Sequence, residues 1–171
     1  MPNAGSEFPD LTFRTIDSGR YRLLSPLGSG GYGVVYRALE RDPRTARTLV
    51  RAIKVMPLAP HGTRRAAYQL REAALHGRVS DSGHPHVVRL HRAVRDTQYM
   101  YLIMDYLPGG DLYTAMREDC PLVGDTEKLK TVFLKIMDGV AACHARGVFH
   151  RDLKPENVLV DEKMEIGRAH V

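Results

Sequence analysis

The chain has 171 residues, 43% hydrophobic and 26% charged, which is the mixture of an ordinary folded domain and excludes disorder, a collagen repeat and a disulfide scaffold. No apolar run approaches the ~20 residues a membrane helix needs, Met1 to Gly19 lacks the apolar core of a signal peptide, and two cysteines, Cys120 and Cys143, fit a reducing compartment. The net charge of +5 is uneven, with 16 Lys+Arg against 8 Asp+Glu in residues 1–100 and 9 against 12 in 101–171, yet the arginines from Arg37 to Arg71 stand singly without interleaved aromatics, as on a solvated basic face rather than a nucleic-acid footprint.

Residues 1–19 are rich in Pro, Gly and polar side chains and read as a flexible leader. From Tyr21 the pattern turns strand-like: Tyr21-Arg-Leu-Leu, a glycine cluster, Val34-Val-Tyr36, a polar turn at Asp42-Pro43, and Leu49 to Val55. Three antiparallel strands are predicted there. Arg64 to Val79, rich in Ala, Leu, Gln, Arg and Glu, predicts a helix. Two more strands follow at Val87 to Leu90 and Tyr99 to Met104, the second running into Pro108-Gly109-Gly110. Leu129, Val132, Phe133, Ile136, Met137, Val140 and Ala141 recur at i, i+3, i+4 and i+7, the signature of one buried helical face. Asp125 or Thr126 can cap that helix and Gly147 can end it. A strand-heavy first half followed by a helical segment predicts an α+β fold with two differently built lobes.

Gly28-Ser-Gly30-Gly-Tyr-Gly33-Val-Val35 fits G-x-G-x-x-G-x-V, whose glycines let backbone N–H groups approach phosphate oxygens. Because Val34-Val-Tyr36 continues as strand rather than opening a helix, the loop reads as a hairpin, either a lid over phosphates or a plain turn. Ala52-Ile-Lys54 follows on the third strand, where alternation turns Ala52 and Lys54 to one face. Lys54 there is either a phosphate partner or a surface lysine. Glu72 sits mid-helix among Leu70, Ala73 and Ala74, where a buried carboxylate needs a cation. Lys54 would supply one; a solvated pairing with Arg71 or Arg65 is the alternative.

His150-Arg-Asp152-Leu-Lys154-Pro-Glu-Asn157 comes directly after the long helix and before Val158-Leu-Val160. With this string, preceded in order by the glycine loop, A-I-K and the helix glutamate, the chain resembles the eukaryotic protein kinases from Tyr21 to about Met164. Ala74-Leu-His, His84-Pro-His, Tyr101-Leu-Ile-Met-Asp-Tyr, Gly109-Gly-Asp-Leu and Val148-Phe-His are most similar to the fungal serine/threonine kinases named as negative regulators of sexual conjugation and meiosis.

The resemblance implies a bilobal α+β fold: a leader at 1–19, a complete antiparallel-sheet first lobe at 20–104, and the hinge and start of the helical second lobe at 105–164. It also implies ATP and Mg2+. Leu27, Gly28, Gly30 and Gly33 would cover ATP, with Val35 and Ala52 lining the adenine pocket and Leu159 flooring it. Lys54, paired with Glu72, would hold phosphates. Met104 would be the gatekeeper, Asp105 to Leu107 the hinge whose backbone meets adenine, and Asp111 the ribose contact. Asp152 would orient the substrate hydroxyl and accept its proton, Lys154 would steady the transferring phosphoryl group and Asn157 would bind magnesium. Lys154 resembles the serine/threonine branch. Arg51 stands where the family often has Val, with its side chain expected to point away from Ala52 and Lys54. His150 is expected to serve packing rather than acid–base chemistry.

The family's second magnesium ligand, the Asp of an Asp-Phe-Gly motif, does not occur in this sequence. Residues 165–171 are expected to be a non-native tail, since Ile166-Gly-Arg-Ala-His-Val171 resembles the translation of a sequencing-library adapter; a genuine short splice form is the alternative. The recorded chain is then expected to be an inactive piece of an active parent, with part of the apolar face of its long helix exposed. The resemblance implies protein substrates with Ser or Thr acceptors, no nucleic acid, no membrane, and a cytoplasmic or nuclear location. No motif sets the oligomeric state. A nucleotide-binding pseudokinase or scaffold, and more remotely a basic nucleic-acid-binding module, are the alternatives.

Overall fold

The computed structural model describes residues 8–42, 44–116, 124–161 and 166–169. Pro43 of the expected turn, Cys120, and parts of the expected leader and tail lie outside the described residues. The chain forms two compact units, Met1–Arg71 with Leu90–Tyr106, and Glu72–Arg89 with Leu107–Val171.

The first unit is a six-stranded antiparallel sheet. Its strands are β1 (Thr15–Ile16), β2 (Tyr21–Gly30), β3 (Gly33–Arg41), β4 (Thr48–Pro57), β5 (Leu90–Arg95) and β6 (Tyr99–Asp105), in the order β1-β2-β3-β4-β6-β5. Register decides the two faces. Val34 lies opposite Val55 and Val55 opposite Tyr101, while Tyr36, Ile53 and Ile103 make the next row. These residues, with Tyr21, Leu23 and Ala38, form a core on one side of the sheet.

Residues 8–19 differ from the expected leader. Phe8 and Leu11 pack against the sheet core and Ile16 is buried within it. The Leu11 N–H donates to Tyr36 Oη at 3.1 Å, and the Phe13 N–H donates to the Leu23 carbonyl at 3.0 Å. Asp17, Ser18 and Gly19, with φ of 51°, 55° and 86°, reverse the chain from β1 into β2. Three isolated apolar residues thus anchor a segment whose average composition is that of a loop.

A buried carboxylate closes one end of this sheet. Glu40 accepts from Arg20 Nη2 at 2.6 Å, Arg51 Nε at 2.7 Å and Tyr21 Oη at 3.3 Å. Burial raises the Glu40 pKa, but the Arg51 and Arg20 hydrogen bonds outweigh it and hold the carboxyl below its ordinary value. A depressed carboxyl pKa stabilises the fold above the unfolded-state value, and that stability is lost as pH falls through the folded value. Glu40→Ala, which takes the shared carboxylate from Arg20 and leaves Arg51 its longer 3.7 Å contact to Asp105, is expected to lower stability by about 3 kcal/mol at neutral pH in urea unfolding; a loss below about 1 kcal/mol contradicts the role.

Helix α1 (Arg64–Ser80) follows β4. The Thr63 hydroxyl caps it by accepting from the Ala66 N–H at 3.2 Å. Gln69 ties its first half to the first unit, donating to the Pro57 carbonyl at 2.7 Å and accepting from the Ala59 N–H at 3.1 Å. Its second half belongs to the second unit, where Val79 packs with Val87, Cys143 and Val148. The strand expected at Val87 to Leu90 starts later: Val87 and Val88 are buried before β5, and pairing with β6 begins only at Leu90.

The second unit also holds α2 (Leu112–Ala115), α3 (Thr126–His144), a 3-10 turn at Pro155–Asn157, and the antiparallel pair β7 (Val158–Val160) and β8 (Ile166–Ala169). The Asp125 side chain caps α3 by accepting from the Lys128 N–H at 3.0 Å, and Gly147, at φ 67°, turns the chain away after it. The buried stripe on α3 is Val132, Gly139 and Cys143, with Ile136 partly buried. Gly139 is fixed by close approach, because a Cβ there would lie 2.6 Å from the His86 carbonyl oxygen. Leu129, Phe133 and Met137 of the periodic face are exposed, in keeping with the expectation that part of that face lies uncovered. The apolar surface of α3 is wider than what covers it, so the periodicity identifies the helix but not the stripe it buries. β8 falls in the expected non-native tail, and its backbone pairs with β7.

Candidate active site

The β2–β3 hairpin carries the glycine loop. Gly28 lies opposite Val35, Ser29 opposite Val34 and Gly30 opposite Gly33. The glycines serve different ends. A Cβ on Gly33 would lie 2.2 Å from the Val55 carbonyl oxygen, so β4 itself requires glycine there. A Cβ on Gly28 or Gly30 would meet nothing within 4 Å, so no neighbouring side chain or backbone requires glycine at either position. The space over both is free for a ligand. Leu27, beside them, is exposed.

Val35 lies opposite Lys54, Lys54 opposite Leu102, and Ala52 opposite Met104. Cross-strand partners and residues two apart share a face, so Val35, Ala52, Lys54 and Met104 line the side of the sheet turned away from the Val34–Tyr36 core. Ala52 and Met104 are buried on it. Arg51 projects to the other face, where it binds Glu40, as expected. Asp105 ends β6, and the boundary between the two units falls just after it, between Tyr106 and Leu107. Glu72 is half-buried on α1 in the second unit, within the stripe of Gln69, His76 and Val79 rather than on the solvated side.

The second unit brings together the residues of the 150–157 string. Lys154 Nζ lies 3.0 Å from Asp152 Oδ2. Asn157 Nδ2 donates to the Asp152 carbonyl at 2.8 Å and to Oδ2 at 3.2 Å. The Asp152 N–H donates to His150 Nδ1 at 3.2 Å, which gives His150 a loop-shaping duty. Arg151, at φ 64°, makes the tight turn possible, and Pro155 starts the 3-10 turn that swings Asn157 back. The Lys154 ammonium, and secondarily the Asn157 amide, hold the exposed Asp152 carboxyl below its usual range, while Asp152 raises the Lys154 pKa. Asp152 is therefore a carboxylate at neutral pH.

Leu159 is fixed nearby. It bridges to Asp111, and the Val160 N–H donates to the Gly110 carbonyl at 2.9 Å. A Cβ on Gly109 would lie 2.2 Å from the Asp161 carbonyl oxygen, so this approach needs glycine. Asp111 has a structural duty absent from the sequence reading: its carboxylate caps α2, accepting from the Thr114 N–H at 2.8 Å and its hydroxyl at 3.0 Å. The pattern Asp111-Leu-Tyr-Thr114 carried that capping signal. No helix among the described residues is long and apolar enough to cross a membrane.

The protein kinase domain family matches residues 21–167. The chain is 37% identical over 154 residues to the negative regulator of sexual conjugation and meiosis of Schizosaccharomyces pombe, covering 90% of this chain and 32% of that protein. It is 37% identical over 145 residues to the serine/threonine-protein kinase ksp1 of the same yeast, covering 82% and 29%. Against CBL-interacting protein kinase 22 of Oryza sativa it is 36% identical over 183 residues, covering 97% and 40%. It spans about a third of the length of these relatives. The glycine hairpin, the lysine on β4 and the 150–157 loop all fall inside the matched stretch, and this chain belongs to the protein kinase family.

Proposed function

We propose that the full-length protein carrying this chain is an ATP-dependent protein serine/threonine kinase. One observation supports the reading above the others: Lys154 and Asn157 converge on Asp152 Oδ2, at 3.0 and 3.2 Å. When bound, ATP supplies the γ-phosphoryl group and Mg2+ offsets its charge. The open space over Gly28 and Gly30 leaves room for a phosphate chain. The fit to a metal is partial. Asn157 directs its Nδ2 to Asp152, which leaves Oδ1 as a ligand atom, and the described residues contain no cluster of three acidic, His or Cys side chains that could hold an ion alone.

In this reading Gly28, Gly30 and Gly33 cover the phosphates under Leu27, while Val35, Ala52, Met104 and Leu159 enclose the adenine. The backbone from Asp105 to Leu107 binds its edge and Asp111 the ribose. Lys54, held by Glu72, carries the phosphate charge. Asp152 accepts a hydrogen bond from the substrate Ser or Thr hydroxyl and aims its oxygen. With Oδ2 engaged by Lys154 and Asn157, Oδ1 is the atom that takes this proton. Lys154 stands 3.0 Å from Asp152, where its ammonium can also meet the transferred group. The proposed substrates are proteins, and a cytoplasmic or nuclear location is compatible with that role. Transfer of phosphate to Ser and Thr by the full-length protein tests the reading, as set out below.

A further inference from the structure

A line of ion pairs and a hydrogen-bonded imidazole crosses the first unit. Arg20 precedes β2, Glu40 lies on β3, Arg51 on β4, Asp105 on β6 and His91 on β5, so the line touches each of these five strands or its start. The links are Arg20 to Glu40 at 2.6 Å, Arg51 to Glu40 at 2.7 Å, Arg51 Nη1 to Asp105 Oδ1 at 3.7 Å, and His91 Nε2 to the same Oδ1 at 2.6 Å. Two features show how the line is built. Arg51 and Asp105 are direct cross-strand partners. The β5–β6 register slips between Leu90 and Arg92, so His91 is the extra residue of a bulge. A bulge re-aims a side chain, and this one delivers an imidazole to Asp105.

The Asp105 side chain thus lies on the face opposite Lys54, Ala52 and Met104. Its Oδ1 is hydrogen-bonded to His91 Nε2 from β5 at 2.6 Å and lies 3.7 Å from Arg51 Nη1 on β4, while its backbone continues into the segment proposed to bind adenine. We infer that Arg51 and His91 are positioning residues for nucleotide recognition: by holding Asp105 Oδ1, His91 through a hydrogen bond and Arg51 through a longer ion pair, they fix the peptide groups after Met104 that meet the adenine edge. This rests on the proposed reading of Asp105 to Leu107 as the hinge. These contacts act on adenine alone, because the phosphate elements, Gly28 to Gly33 and Lys54, lie elsewhere on the sheet.

The test uses the full-length protein and two probes, adenosine and inorganic tripolyphosphate, with binding measured by titration calorimetry and folding by thermal melting. His91→Gln and Asp105→Asn are expected to weaken adenosine binding roughly 3- to 30-fold and to leave tripolyphosphate binding unchanged. Arg51→Gln is expected to do the same, with Arg51→Lys recovering much of the loss. Where Arg51→Gln also lowers the melting temperature through Glu40, the other two variants decide. Equal weakening of both probes, or no change in adenosine binding by His91→Gln and Asp105→Asn, overturns the inference. A wild-type protein that binds neither adenosine nor ATP overturns the proposed function instead.

Discussion

Asp152→Asn in the full-length protein is expected to keep ATP affinity within about twofold of wild type and to lower turnover by about 10²- to 10⁴-fold, the range for removing a positioned proton acceptor. Binding and rate separate because the glycine hairpin and Lys54 lie in the first unit, whereas Asp152 lies in the second. The substitution keeps the shape of the side chain and can still engage Lys154 through its oxygen. It removes the basic oxygen. Equilibrium binding of a fluorescent ATP analogue beside a phosphotransfer assay measures both terms, and a rate within tenfold of wild type contradicts the role of Asp152. Because Lys154 and Asn157 keep the Asp152 pKa low, activity is expected to persist into mildly acidic solution and to fall only as the carboxylate protonates below its usual range.

Lys54→Ala and Glu72→Ala are each expected to lower the rate by about 10²-fold, as for loss of one charge-stabilising group, and the double variant is expected to be little slower than either single one. In the proposed site Lys54 carries phosphate charge only when its ammonium is held, and Glu72 is the residue proposed to hold it. A double-mutant cycle reads the coupling directly. If the two losses add on the free-energy scale, the residues act independently and Glu72 is a helix charge with no part in phosphate binding.

What could be read from the residues follows from how local each signal is. The 150–157 string is contiguous, and a turn of eight residues brings Asp152, Lys154 and Asn157 together without help from distant chain. The hairpin and the Lys54 face follow from two-residue alternation and a short turn. The anchoring of residues 8–19 is not local: Phe8, Leu11 and Ile16 are single apolar residues whose partners are on β2 to β6. Strand β5 starts later than the apolar run suggests because half of Leu90–Arg95 is polar, whereas Val87 packs in another core with Val79, Cys143 and Val148. On α3 the apolar width exceeds the covered width, so periodicity marks the face but not which of its residues, such as Phe133 and Met137, stay exposed. The charged line through Glu40, Arg51, Asp105 and His91 joins residues up to 65 positions apart and depends on a bulge, neither of which spacing in one strand can reveal.

Phosphotransfer by the full-length protein tests the central claim most directly. With radiolabelled ATP, Mg2+ and a mixed protein substrate, acid hydrolysis of the products is expected to yield phosphoserine and phosphothreonine, with labelling lost in Asp152→Asn. Label confined to phosphotyrosine contradicts the serine/threonine assignment. Protein that binds ATP but transfers no label to any residue contradicts the kinase reading and leaves a nucleotide-binding scaffold in its place.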